Sequence, residues 1–259
     1  MKSLPLLLAL VCLSLSAAPV EKTAPKYVAP GDRLWTGGEG REWPAEWDPR
    51  WHGFSFPKLD ISGVDEVAGL PCILMIGDVE SDCYSQAVAH QLAGKANVYR
   101  TFLCGRATGT PYVLNHFKYL NNEFGVLHFY KFDVIHFNCG LLLPDFKETG
   151  KKRQPHIELA EYEKDVRACV TYLKKNSEAK LIFATMTTTV SEGDVDAYNA
   201  IAVKVMKENG IAIDDLAADV GPEVAKLERR FNQLPFYKKE GYEVLGKAVV
   251  KSLNAAIAK

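Results

Sequence analysis

The sequence predicts an α/β domain of three layers, α/β/α, with helices on both faces of a central parallel β-sheet. Three observations predict it. Short apolar runs bounded by turn residues recur over residues 66–259. Segments of helical spacing alternate with them, which is the signature of successive β-α-β units. The third observation is size, since 259 residues, 47% of them apolar and 24% charged, suffice for one sizeable core plus an extension and are too balanced for disorder.

Residues 1–18 read as a signal peptide rather than part of the domain. One positive charge at Lys2, an apolar stretch from Leu4 to Leu15 and small residues at Ala17 and Ala18 give that layout, and the stretch is short for a bilayer span. The expected location is therefore secreted or periplasmic, with no membrane span in the mature chain. Residues 19–65 form a Pro-, Gly- and Trp-rich extension (Trp35, Trp43, Trp47, Trp51) without helical or strand periodicity. Its aromatic rings suit either packing over the domain or stacking on a sugar.

The domain then runs from residue 66 to 259. Strands are read at Cys72–Ile76, Val98–Phe102, Val134–Phe137, Leu181–Thr185 and Ile211–Ile213. Helices are read at about Tyr84–Leu92, Tyr112–Phe124, Ile157–Lys175, Val195–Asn209 and Glu240–Ile257. In the third, Leu159, Tyr162, Val166, Cys169, Val170 and Leu173 recur at mostly three- and four-residue steps and form one buried stripe. Asp194 is placed to cap the fourth helix and Gly210 to stop it.

Charge and cysteine content narrow the function. A net charge of −1 with dispersed Lys and Arg leaves no electrostatic footprint for nucleic acid, so the expected partner is a small molecule, a glycan or a protein. Beyond Cys12 in the signal segment the cysteines are Cys72, Cys83, Cys104, Cys139 and Cys169, an odd number with no CxxC spacing. They read as buried thiols, with a Cys83–Cys104 bridge as the alternative, and no metal or cofactor is expected.

In a parallel sheet, ligands bind beyond the carboxyl ends of the strands. The residues there are Gly77-Asp78-Val79, Cys104-Gly105, Asn138-Cys139-Gly140 and Thr185-Met186-Thr187, with Gln233-Leu234-Pro235-Phe236 approaching the same rim.

The run ILMIGDVESDCYSQAVAHQLAGKANVYR (Ile73–Arg100) resembles the first block of the SGNH (GDSL-type) hydrolases, in which a strand ends in Gly-Asp-Ser. FDVIHFNCGLLL (Phe132–Leu143) resembles the third block, AEYEKDVRACVTYLKK and AKLIFATMTT the middle helix and strand, and NGIAIDDL then KEGYEVLGKAVVKSL the end of the domain. The resemblance implies an SGNH hydrolase-like, flavodoxin-like fold over nearly all of Ala68–Lys259. It also implies a degenerate member of that family.

Family members attack an ester with a serine whose proton goes to a histidine oriented by an aspartate. The resemblance places Val79 at the serine position, Gln233 at the aspartate and Phe236 at the histidine. None can perform those roles, and no histidine follows His156. Without such a unit only about 10³–10⁴-fold catalysis over water remains. Of the oxyanion donors, the resemblance matches Gly105 and Asn138, with Asp78 and Gly140 on the cleft rim. Asn138 reads equally as a strand-end residue bonding loop amides, Asp78 as a helix cap or loop-bonding carboxylate, and His136 as a core histidine. Ser81 is the rescue candidate for a relocated nucleophile, although a serine there also suits a helix cap. Glu80, His90 and His128 are candidate bases. Two classes follow: a catalytically inactive binding or scaffold protein, or an active esterase or carbohydrate deacetylase with a relocated nucleophile. In either case Val79, Gly105, Asn138 and Phe236 are expected to converge at one end of the sheet.

Overall fold

The structure is a computed structural model that describes residues 67–100, 131–140, 146–149, 152–155, 157–187, 195–231 and 234–258, with Leu114, Lys118 and Leu127. The signal segment and the Trp-rich extension lie outside the described residues. Among the described residues no helix is long and apolar enough to cross a membrane.

Five strands build the central sheet: β1 (Cys72–Ile76), β2 (Asn97–Arg100), β3 (Val134–Phe137), β6 (Lys180–Ala184) and β7 (Ala212–Asp214). Their order is β2-β1-β3-β6-β7, and every pairing is parallel. The sheet is buried on both faces, which is why its strands read as continuous apolar runs. Ile73, Met75, Val98, Val134, Ile182 and Ala184 meet helices α1 (Val79–Gln91) and α6 (Lys239–Ile257) on one face. Leu74, Ile76, Tyr99, Ile135, Phe137 and Phe183 meet α2 (Leu159–Asn176) and α3 (Asp196–Glu208) on the other. The architecture is thus the three-layer α/β/α domain expected.

Each helix has a local cause. α2 buries Tyr162, Val166, Cys169, Val170 and Leu173, and each such side chain contributes about 1.5–3 kcal/mol on leaving water. Leu159 departs from the predicted stripe, being 41% exposed at the first position of the helix. α3 is preceded by Val195, which makes no side-chain cap bond, and Asp194, the cap expected from the sequence, lies outside the described residues. Gly210 ends α3 as expected, with φ +67°, a conformation glycine adopts without strain.

α1 starts five residues earlier than the sequence suggests. Asp78 is its cap, accepting the Ser81 backbone N–H at 2.9 Å, so Ser81 lies inside the first turn instead of capping it. The buried face of α1 carries Ser81, Cys83, Tyr84, Ser85 and Val88, a mixed set with no apolar stripe to read. α1 packs closely on α6, where a Cβ on Gly246 would stand 2.7 Å from that of Ala87. Of the helix expected at Tyr112–Phe124, the described Leu114 and Lys118 are helical.

Two antiparallel ribbons were not legible as strands. β4 (Phe146–Thr149) pairs with β5 (Lys152–Pro155), and β8 (Glu228–Phe231) with β9 (Leu234–Tyr237). Short helices α4 (Leu216–Asp219) and α5 (Gly221–Val224) with a 3-10 turn at Ala225–Leu227 lead from β7 to the second ribbon. Both ribbons carry charged residues and a proline, Pro155 and Pro235, which blunts any alternation of apolar and polar positions.

Candidate functional site

Chain order places the site. β1 continues to β2 on one side and the chain then returns to β3 on the other, so the gap above β1 and β3 is the topological switch point where such sheets bind ligands. Gly77-Asp78 leaves β1 here and Asn138-Cys139-Gly140 leaves β3.

These two segments are clasped together. The Asp78 backbone N–H donates to Asn138 Oδ1 at 2.8 Å, and the Asn138 side chain also hydrogen-bonds the Asp78 carboxylate. Asp78 is 8% exposed and Asn138 1%. Burial pushes the Asp78 carboxyl above its usual range, against hydrogen bonds from the Asn138 side chain and the Ser81 and Glu80 backbone that pull it down. The two flanking glycines are required by the closeness of this contact. A Cβ at Gly77 would stand 2.0 Å from Asn138 Oδ1, and one at Gly140 1.7 Å from Asp78 Oδ2.

The segment after β6 is pinned residue by residue. Thr185 Oγ1 donates to Asp215 Oδ1 at 3.0 Å and accepts the Ala217 backbone N–H at 3.0 Å. Met186 exchanges two backbone bonds with the Asn199 amide, at 2.9 and 2.8 Å. Thr187 Oγ1 donates to Glu80 Oε1 at 2.5 Å and bonds the Tyr237 hydroxyl at 2.7 Å, with Tyr237 as the donor since the Thr187 proton is already committed to Glu80. This chain brings the start of α1, the end of β6 and the tip of β9 together. The sequence reading named Glu80 only as a base candidate and Thr187 only as a rim residue, and did not join them.

Of the positions singled out in the sequence, Asp78, Ser81, Asn138 and Gly140 come together. Ser81 is 1% exposed beneath the Asp78 cap. Val79 opens α1 at the same end, and Phe236 lies in β9, paired with Arg229 and adjacent to Tyr237. The segments carrying Val79 and Phe236 therefore meet through Thr187. Gln233, Gly105 and His128 lie outside the described residues.

His136 is a core residue with an unexpected partner. Its Nε2 is 3.0 Å from Asp214 Oδ2, the two side chains 0% and 4% exposed, and the Tyr84 ring stands edge-on at 6.1 Å. Its Nδ1 has no hydrogen-bond partner. His90, the other described histidine, is exposed at the far end of α1. Cys83 packs on α1 against Tyr242, with which it hydrogen-bonds, and Cys104, its suggested bridge partner, is outside the described residues. Among the described residues no group of three His, Cys, Asp or Glu could hold a metal ion.

No family model matches the chain, and no curated protein does. Solved structures do. An acetyl xylan esterase, AlAXEase, superimposes with TM-score 0.52 at 15% identity, covering 70% of this chain and 99% of that one. The chain has an SGNH hydrolase-like fold. A lipase/acylhydrolase from Enterococcus faecalis shares the fold at TM-score 0.51 and 16% identity over 72% of this chain and 96% of its own. The acetyl xylan esterase Axe2 from Geobacillus stearothermophilus, as a point variant, does so at 0.51 and 18% over 71% and 94%. The fold therefore agrees with the resemblance in the sequence.

Proposed function

We propose that this protein is a catalytically inactive relative of the SGNH hydrolases, exported by its signal segment, that binds a small molecule, a glycan or a partner protein. The observation that carries this reading is the clasp between Asp78 and Asn138. An oxyanion donor must present its N–H to the developing charge, whereas Asn138 accepts the Asp78 backbone N–H on Oδ1 and its amide also bonds the Asp78 carboxylate, which leaves at most one of its two N–H groups for an oxyanion. Val79 at the serine position supports the same reading, since it has no nucleophile.

The competing reading is an esterase or carbohydrate deacetylase with Ser81 as a relocated nucleophile. Ser81 is buried under Asp78, and neither described histidine is hydrogen-bonded to a Ser, Thr or Cys side chain: His136 is turned to Asp214 and His90 lies at the opposite end of α1. A serine needs a base within reach, which favours the inactive reading.

The test is hydrolysis of short acyl esters and acetylated glycans by the purified full domain beside its Ser81→Ala variant. Rates equal to a generic protein control are expected for both. A saturable rate that disappears in Ser81→Ala establishes the relocated nucleophile instead.

A further inference from the structure

Helices α1 and α6 approach closely because Gly246 carries no side chain against Ala87, where an added Cβ would stand 2.7 Å away. Longer side chains flank that contact and enclose a groove of about 320 Å³ between the two helices. Helical spacing puts Ala87, His90 and Gln91 on its α1 side. On its α6 side Lys239, Glu243 and Lys247 follow one another at four-residue steps and form a rim, above the buried ring of Tyr242. Lys239 Nζ is 3.5 Å from Glu243 Oε1, and the two side chains are 48% and 55% exposed, so the rim is open to solvent. Lys247 makes no ion pair among the described residues. Two lysines against one glutamate leave the rim with one excess positive charge, and the exposed His90 stands across from it on α1.

We propose that this groove binds a carboxylate that carries hydroxyl groups, the class of the sugar acids and hydroxy acids. The inference rests on the mixture of groups along the groove. Lys247 supplies the cation for a carboxylate, with the His90 ring as a second hydrogen-bonding group beside it. Glu243, an acceptor, and Gln91, both donor and acceptor, suit hydroxyl groups, which donate and accept. A bare anion meets the like charge of Glu243, and a neutral polyol leaves Lys247 without a counter-charge. A molecule with both functions uses the whole rim. The volume lies at the low end of the roughly 300–1,000 Å³ of small-ligand sites. Ala87, His90 and Gln91 belong to the half of α1 remote from the switch point, so this is a second site and it stands whether or not the switch point is catalytic.

The experiment is titration of the purified full chain with glucuronate, a cyclic sugar acid, and with gluconate, an open-chain hydroxy acid, followed by calorimetry and by amide chemical shifts. Glucose, propionate and inorganic phosphate are the controls, all at one ionic strength. The expected result is saturable binding of at least one of the two acids, with a dissociation constant on the order of 1 mM and shifts concentrated at residues 87–91 and 239–247. Each control should bind about tenfold more weakly or not at all. Lys247→Gln, a change at an exposed position, should keep the parent's circular dichroism spectrum and weaken the acid about fivefold. His90→Ala, on the other helix, should weaken it in the same direction. Phosphate or glucose binding as tightly as the acids overturns the proposal, and so does failure of both acids to saturate. Binding that Lys247→Gln leaves unchanged, or shifts concentrated elsewhere, overturns it as well.

Discussion

His136 and Asp214 form a side-chain pair, 3.0 Å apart, inside the layer between the sheet and helices α1 and α6. Asp214 ends β7 and His136 sits in β3, so the contact spans the intervening strand β6. Removing one partner leaves the other buried without its hydrogen bond. Asp214→Ala is expected to lower stability by about 1–3 kcal/mol. Replacing both residues by leucine should lose less than the sum of the two single leucine changes. Urea denaturation of the three leucine variants gives the coupling, and additive losses would mean the two side chains do not act as a pair.

Asp78 should make stability fall as pH rises. Its folded carboxyl holds a proton more tightly than the unfolded one because burial raises it above 3.8. Between the unfolded and folded values the native state binds more protons, so its advantage shrinks with increasing pH. Asp78→Asn keeps a good helix cap and removes the titration. The parent's midpoint minus that of the variant should therefore decline from acid pH upward, starting near pH 4. A difference that stays flat between pH 3 and pH 7 contradicts the assignment.

Gly77→Ala and Gly140→Ala should each destabilise by about 1–3 kcal/mol or more, as forced overpacking does. The added methyl meets Asn138 Oδ1 in the first case and Asp78 Oδ2 in the second. Gly94→Ala separates this effect from backbone strain, because Gly94 has φ +72° with nothing within 4 Å of a Cβ. Thermal melts of the three variants should place Gly94→Ala nearest the parent.

Thr187→Val removes the hydroxyl that links Glu80 to Tyr237. The expected loss is about 1–3 kcal/mol, the cost of leaving a buried hydroxyl without its partner. Combined with Tyr237→Phe, the double variant should lose less than the sum, since both changes delete the same bond. Chemical denaturation of the cycle checks it.

The sheet was legible because both of its faces are covered, which gives apolar runs such as CILMI in β1 and LIFA within β6. α2, α3 and α6 were legible because each buries one stripe. α1 was half-hidden, since Ser81 and Ser85 are buried on it and a buried serine looks like a surface one. The site divides in the same way. Asp78 and Asn138 could be picked out from their places at strand ends, but that they bond each other is a fact of sheet order: β1 and β3 are neighbours although more than fifty residues separate them. His136 with Asp214, and Thr187 with Glu80 and Tyr237, join residues 50–107 positions apart. No local spacing encodes such contacts.

The packing of α1 against α6 sets a clock on biosynthesis. α1, the first described helix, finds the helix that covers it only when α6 arrives, because Ala87 is seated on Gly246 and Val88 and Leu92 share a core with Leu245, Val249 and Leu253. Until then Val88 and Leu92 lack the cover that α6 gives them. At roughly 5–20 residues per second, the stretch from residue 92 to residue 245 is an exposure of about eight to thirty seconds. Chains released before α6 is complete should be chaperone clients rather than smaller folded domains.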